Sequence, residues 1–173
     1  MAKEKLPDQL CDGMRVVFVG TAAGHQSAKL GQYYAKPGNR FWIALHEAGI
    51  TERQYEPSEF AKLVELGIGF TDMSKYGAGM DHQVAEHQYD AAGFEKKIQR
   101  YNPGAIAFTS KRAAAVWKGV RSTRRISYGQ QPRHGDDFPE VFVLTSPSGA
   151  AGRYWDLEPW RALARWLAKR RKL

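Results

Sequence analysis

The stretch Arg15-Val16-Val17-Phe18-Val19-Gly20-Thr21-Ala22-Ala23-Gly24-His25 decides the fold. After Arg15 the run to position 20 is apolar and β-branched, which reads as a strand buried on both faces. It gives out into a glycine-containing loop over residues 20–25. A second apolar strand, residues 141–145, gives out in the same way into Ser146-Pro147-Ser148-Gly149. In an open α/β sheet, ligands are bound in the crevice beyond the carboxyl ends of the strands. Between the two loops in sequence lies Gln32-Tyr33-Tyr34-Ala35-Lys36-Pro37-Gly38-Asn39-Arg40-Phe41-Trp42. Its aromatic rings and amides suit the shell of a pocket for a flat polar ring.

Working outward, helical and strand patterns alternate. Asn39 stands where a cap is expected for a helix through Glu47, with Phe41, Trp42, Leu45 and Ala48 at helical spacing and Gly49 as the stop. Residues 57–66, 94–101 and 112–119 read as helices, and 69–73, 105–109 and 124–128 as strands. Pro159 opens a last helix that turns Trp160, Leu163, Ala164 and Leu167 inward. Residues 75–92, rich in Gly, His and Asp, read as the longest loop. The alternation predicts a three-layer α/β/α sandwich with a mostly parallel central sheet. The 173 residues, 43% of them hydrophobic, are expected to form a single domain over 1–173.

Composition narrows the function. A lone Cys11 excludes an internal disulfide framework and suits a reducing compartment. The apolar runs are too short to span a membrane, and Met1 to Asp8 lacks the apolar stretch of a signal peptide, so a soluble, cytoplasmic protein is expected. The net charge of +8, from 26 basic and 18 acidic residues, favours a polyanionic partner, with nucleic acid first among them. Several chemistries fall away. Gly20 and Gly24 do not complete a dinucleotide fingerprint, no lysine stands at a P-loop position, and Ser148 lacks the second glycine of a nucleophile elbow. Asp81, His82, Glu86 and His87 match no common zinc spacing and read as a solvated loop, so no metal is expected.

The residues of 15–20, then Gly24, then 35–42, then Ala48-Gly49-Ile50-Thr51, closely resemble the mismatch-specific uracil/thymine-DNA glycosylases. Gly20-Thr21 with Gln32-Tyr33-Tyr34-Ala35 and Pro37-Gly38-Asn39 also looks like the hypoxanthine-DNA glycosylase branch of the same superfamily. Ser146-Pro147-Ser148-Gly149 matches the second superfamily motif, and the resemblance runs in order along nearly the whole chain. It implies a uracil-DNA glycosylase-like fold and a cofactor-free enzyme that hydrolyses the glycosidic bond of a base flipped out of DNA. Uracil in single- or double-stranded DNA is the expected substrate, and a monomer the expected state. Such a reaction needs donors for the negative charge growing on the base, a stacking surface, and a group that places water near the sugar.

Carried onto this chain, the resemblance gives the base to Gly20, Thr21, Ala22, Ala23, Gly24, Tyr34 and Ser146, with Tyr34 as the stacking ring. Ser148, Gly149, Ala150, Arg153 and Tyr154 fall where relatives grip DNA. Ala150 is too small for a wedge, which points to Arg153 or Tyr154. Arg121, Arg124, Arg125, Arg133 and His134 are candidates for further backbone contacts, and Lys169-Arg170-Arg171-Lys172 for a solubilising tail.

The sequence departs from the pattern at the catalytic position. Where the uracil/thymine branch carries a water-holding asparagine, this chain has Ala22, whose methyl group cannot orient water. Ser146 replaces the asparagine or histidine that many relatives have in the second motif. Either the chemistry is lost, leaving a DNA- or lesion-binding module, or other side chains perform it. In the hypoxanthine branch the amide matching Asn39 is assigned the catalytic role, so Asn39 is the first candidate, although asparagine is also a favoured helix cap. Asp72, as a carboxylate that orients water or stabilises the sugar cation, and His25, beside the first loop, are the others. Neither motif holds a lysine to form a Schiff base, so a monofunctional enzyme is expected. Hypoxanthine and mismatched thymine are alternative substrates.

Overall fold

The computed structural model describes residues 3–171. Five strands form one sheet in the order β2-β1-β3-β5-β4, where β1 is Val16–Ala23, β2 Ile68–Ala78, β3 Ala105–Phe108, β4 Gly129–Gln130 and β5 Glu140–Val143. The pairs β1–β2, β1–β3 and β3–β5 are parallel, and only the short edge strand β4 runs antiparallel, to β5. Six helices accompany them: α1 His25–Leu30, α2 Phe41–Glu47, α3 Phe60–Glu65, α4 Ala91–Tyr101, α5 Lys111–Lys118 and α6 Glu158–Arg170.

The alternation of side chains along the strands splits the core into two layers. Val16, Phe18, Ile68, Phe70, Ala107 and Phe142 pack against α2, α3 and α6 through Phe41, Leu45, Leu63, Trp160 and Leu163. Val17, Val19, Ile106, Phe108 and Val143 face α4 and α5 through Phe94, Ile98, Ala114 and Trp117. β1 is thus buried on both faces, as its unbroken apolar run predicts, and each such side chain stabilises the fold by about 1.5–3 kcal/mol. In α6 the inward residues are Trp160, Leu163, Ala164 and Leu167, as their spacing predicts.

The connection from β1 leads to β2 on one side, while β3 lies on its other side. That reversal puts a crevice at the carboxyl end of β1. Two loop segments close on it, and they are tied together. The backbone N–H of Arg40 donates to the Pro147 carbonyl at 2.8 Å, Nη1 of Arg40 to the Ser148 carbonyl at 3.5 Å, and the guanidinium lies 5.6 Å over the Trp155 ring. Gly149 approaches so closely that a β-carbon there would stand 3.3 Å from the Gly38 carbonyl oxygen.

Three expectations are corrected. Residues 124–128 form a turn rather than a strand: Ile126 N–H donates back to the Thr123 carbonyl at 3.1 Å, and Ile126 alone is buried among exposed neighbours. One anchored side chain holds a turn in place, and only Gly129 and Gln130 reach β5. The segment 75–92 is a shorter loop than expected, because β2 continues to Ala78 and α4 begins at Ala91. Between them stand two short helical turns, Asp81–Gln83 and Glu86–Gln88. Finally, Gly20 to Ala23 belong to β1 and not to a loop, with Gly20 paired to Asp72 and Ala22 to Ser74.

Candidate active site

The crevice has a volume of about 710 Å³ and is lined by all of Gly20, Thr21, Ala22, Ala23, Gly24, His25, Tyr34, Asn39, Asp72, Ser146, Ser148, Ala150 and Tyr154. The residues singled out in sequence for base and catalysis therefore converge. Gly149 and Arg153 belong to the adjoining helical turn Gly149–Tyr154, outside the lining itself.

Asp72 is a strongly perturbed carboxyl group in the cleft. It is 6% exposed, and burial pushes its carboxyl up to about 6. Lys75 pulls in the opposite direction, Asp8 raises it further, and Lys97 lowers it. Lys75 and Lys97 are themselves held by Asp8, which also accepts from Thr71 Oγ1 at 2.6 Å. Asp8 reaches them because residues 5–9 run beside β2, with Gln9 and Phe70 exchanging backbone hydrogen bonds. Among the described residues, no group donates a hydrogen bond to the Asp72 carboxylate. A buried carboxylate that lacks a partner and lines a cleft is a candidate functional group on physical grounds.

The expectation that Asn39 caps α2 is corrected: Arg40 holds the N-cap position, and Asn39, one residue earlier, closes the turn that enters the helix. Its Oδ1 accepts from the Phe41 N–H at 2.9 Å, at the entry to α2. The peptide N–H can only donate, so the oxygen is the atom spent on the helix. Nδ2 remains a donor for whatever occupies the cleft.

Tyr34 is held in a backbone conformation that tyrosine seldom adopts, with φ at +51°. Such strain persists where the surroundings over-determine it. Here the ring stacks on Phe41 with centroids 4.0 Å apart, and the hydroxyl bonds Thr109 Oγ1 at 3.0 Å. Thr109 Oγ1 in turn donates to the Val19 carbonyl at 3.3 Å, so Tyr34 is the donor of the pair.

β3 ends beside Val19, whose carbonyl also accepts from the Thr109 N–H. Two residues on, Thr21 presents the same edge of β1 with no strand beside it; its Oγ1 lies 3.3 Å from Ser110 Oγ. Close approach of a ligand to this bare edge is open to it.

Several site residues escape sequence reasoning. Leu6, Thr109 and Ser110 all line the cleft. Thr109 and Ser110 stand just past a strand, the same signal that marked the other two loops. His25 is exposed, as the first residue of α1, a helix not foreseen. Arg133 and His134 lie away from the cleft, near Glu140 and Glu95, and line a cavity at the amino ends of the strands together with Arg170 and Arg171. Lys172 lies outside the described residues. No helix among the described residues is long and apolar enough to cross a membrane, and none of them form a cluster of three metal-ligating side chains.

A mostly parallel sheet with a cleft at its carboxyl edge, lined by a tyrosine ring and a buried carboxylate, defines an α/β protein with a candidate ligand site at that edge. The family model of the uracil DNA glycosylase superfamily matches residues 7–168, and the chain belongs to that superfamily. It is a DNA glycosylase in that coarse sense, with DNA as the substrate it binds. Its fold is similar to the solution NMR structure of a "putative Uracil DNA glycosylase" from Methanosarcina acetivorans. The TM-score is 0.64 at 20% identity, over 96% of this chain and 98% of that one.

Proposed function

We propose that the protein is a monofunctional glycosylase of one domain that removes uracil from DNA, and that Asn39 and Asp72 together replace the missing first-motif asparagine. The observation that carries this reading is Asp72, buried, unpartnered among the described residues, and lining the same cleft as Tyr34 and Asn39. The flipped base stacks on Tyr34 and approaches the bare edge of β1 at Thr21. Asn39 Nδ2 donates to a base oxygen, where charge grows as the bond breaks. The C1′–N1 bond cleaves, and its electron pair leaves with the base. The Asp72 carboxylate faces the cationic sugar and takes a proton from the water as the water oxygen bonds to C1′, and that proton passes on to the departing base anion, restoring the carboxylate. Water is the only co-reactant.

This division of labour follows from the bond that Asn39 Oδ1 accepts from the Phe41 N–H. With one lone pair of Oδ1 engaged by Phe41 and that oxygen fixed at the helix entry, Nδ2 is the atom left wholly free, so the acceptor role is given to the Asp72 carboxylate. Ser148 and the turn Gly149–Tyr154 meet the DNA backbone, and of the two wedge candidates Tyr154, 63% exposed and lining the cleft where Arg153 does not, fills the gap left by the flipped base.

The test is incubation with end-labelled oligonucleotides carrying one uracil, hypoxanthine or mismatched thymine, followed by alkali. Cleavage at uracil supports the reading. Cleavage only at hypoxanthine or thymine transfers it to another base, and retarded migration without cleavage leaves a binding module. Lys36 lines the cleft, so borohydride trapping tests the monofunctional assignment, a covalent adduct overturning it.

A further inference from the structure

Two exposed tyrosines, each beneath a cation, lie on the carboxyl side of the sheet: Tyr154 lines the cleft, and Tyr128 precedes Gly129, the register partner of Val143 at the end of β5. Tyr154 is 63% exposed with the Arg153 guanidinium 5.1 Å from its ring centroid. Tyr128 is 39% exposed with Lys111 Nζ 4.3 Å over its ring. Lys111 follows Ser110, which lines the cleft, and so joins Tyr128 to the rim. Tyr128 and Tyr154 are near enough that the second pushes up the hydroxyl of the first, after burial itself. Neither Lys111 nor Arg153 is ion-paired among the described residues.

An exposed ring carries an unsatisfied apolar face, and an unpaired cation beside it carries unneutralised charge. A nucleotide supplies the complement to both, a base for the ring and a phosphate for the cation. One such pair beside a base-flipping cleft serves the gap in the duplex. A second lies farther round the rim, on the turn before β4. In duplex DNA the neighbouring base is stacked and paired, and so has no face to offer. An unpaired strand does.

We infer that Tyr128, with Lys111, is a stacking step for the base adjacent to the excised nucleotide, which makes single-stranded or locally unpaired DNA a preferred substrate. The inference rests on the glycosylase reading above. Its occupant is a nucleotide of the same strand.

The test uses a single-stranded oligonucleotide with one 2′-fluorodeoxyuridine, which resists cleavage because the fluorine disfavours the sugar cation, and its duplex counterpart. Fluorescence anisotropy is measured for the wild type, Tyr128→Ala, Tyr128→Phe and Lys111→Ala. Tyr128→Ala should weaken single-strand binding about tenfold and duplex binding less than twofold, while Tyr128→Phe keeps the affinity. Lys111→Ala, a surface change that leaves the ring in place, should weaken single-strand binding and flatten its salt dependence. 2-Aminopurine placed on one side or the other of the fluorinated nucleotide should be quenched by the wild type and not by Tyr128→Ala. Unchanged single-strand affinity in both alanine variants, or equal losses on both DNAs, overturns the stacking step. A wild type that cleaves no lesion and binds neither oligonucleotide removes the glycosylase reading instead.

Discussion

The carboxylate of Asp72 lies against the Cα of Gly20, its register partner across β1 and β2, in the space that a β-carbon there would need. The hydroxyl of Tyr34 closes the same space, 3.5 Å from where that carbon would stand. Glycine at position 20 is therefore a condition for having a carboxylate inside the cleft. Gly20→Ala should push Asp72 aside, cost about 1–3 kcal/mol, and lower excision at least tenfold. Urea denaturation and single-turnover assays on the one variant check both. Full activity would mean that Asp72 does not act from its present position.

Asp72 also sets a pH dependence. With its carboxyl raised to about 6, the single-turnover rate should climb through that pH and level off above it, and Asp72→Asn should abolish the climb along with most of the rate. The stability effect has the opposite sign. A carboxyl raised in the folded state is a favourable group while protonated, and its contribution is lost as the pH rises through 6. Asp72→Asn should accordingly be more stable than wild type at neutral pH, by up to about 3 kcal/mol, with the gain shrinking towards pH 4. Denaturation curves at two pH values decide it.

The donor role proposed for Asn39 and its bond at the entry to α2 separate by substitution. Asn39→Ala should lose the bond from the Phe41 N–H to Oδ1, about 1 kcal/mol, and slow excision about 100-fold. Asn39→Asp keeps an acceptor for the Phe41 N–H but has no Nδ2 donor, so it should hold the melting temperature near wild type and still lose excision. A fully active Asn39→Asp would assign the residue to the helix alone.

Binding to DNA should weaken steeply with salt, because each phosphate met by a basic side chain releases condensed counterions. The net charge of +8 sets the expectation. Filter binding to an undamaged oligonucleotide at several salt concentrations gives the slope. Removing Arg133, which lies away from the cleft beside Glu140, should leave that slope unaltered.

Much of this architecture was legible because it is written locally. The apolar run into Gly20, the run into Ser146 and the Asn39–Phe41 start of a helix are each contained in a few residues, and the cleft formed where they pointed. The edges were not legible. Residues 124–128 carry a strand-like composition, yet a single buried Ile126 and a back-turned N–H make a turn of them. The helix α1 lacks a side-chain cap at Gly24, so nothing in the sequence announced it. The perturbation of Asp72 depends on which residues β2 lies beside, and on Asp8 arriving from the start of the chain. Contacts of that range have no local signature.

Arg40 couples the segment that presents Asn39 to the loop that follows β5, through its own N–H, its guanidinium and the Trp155 ring. Under the mechanism proposed above, grip on the backbone and readiness for chemistry are consequently not separate dials. A substitution that loosens residues 147–152 to hasten release of the product also slackens the clamp on the scissile nucleotide. Selection for faster turnover through that loop must therefore work against itself, and the freedom to tune release lies elsewhere on the rim.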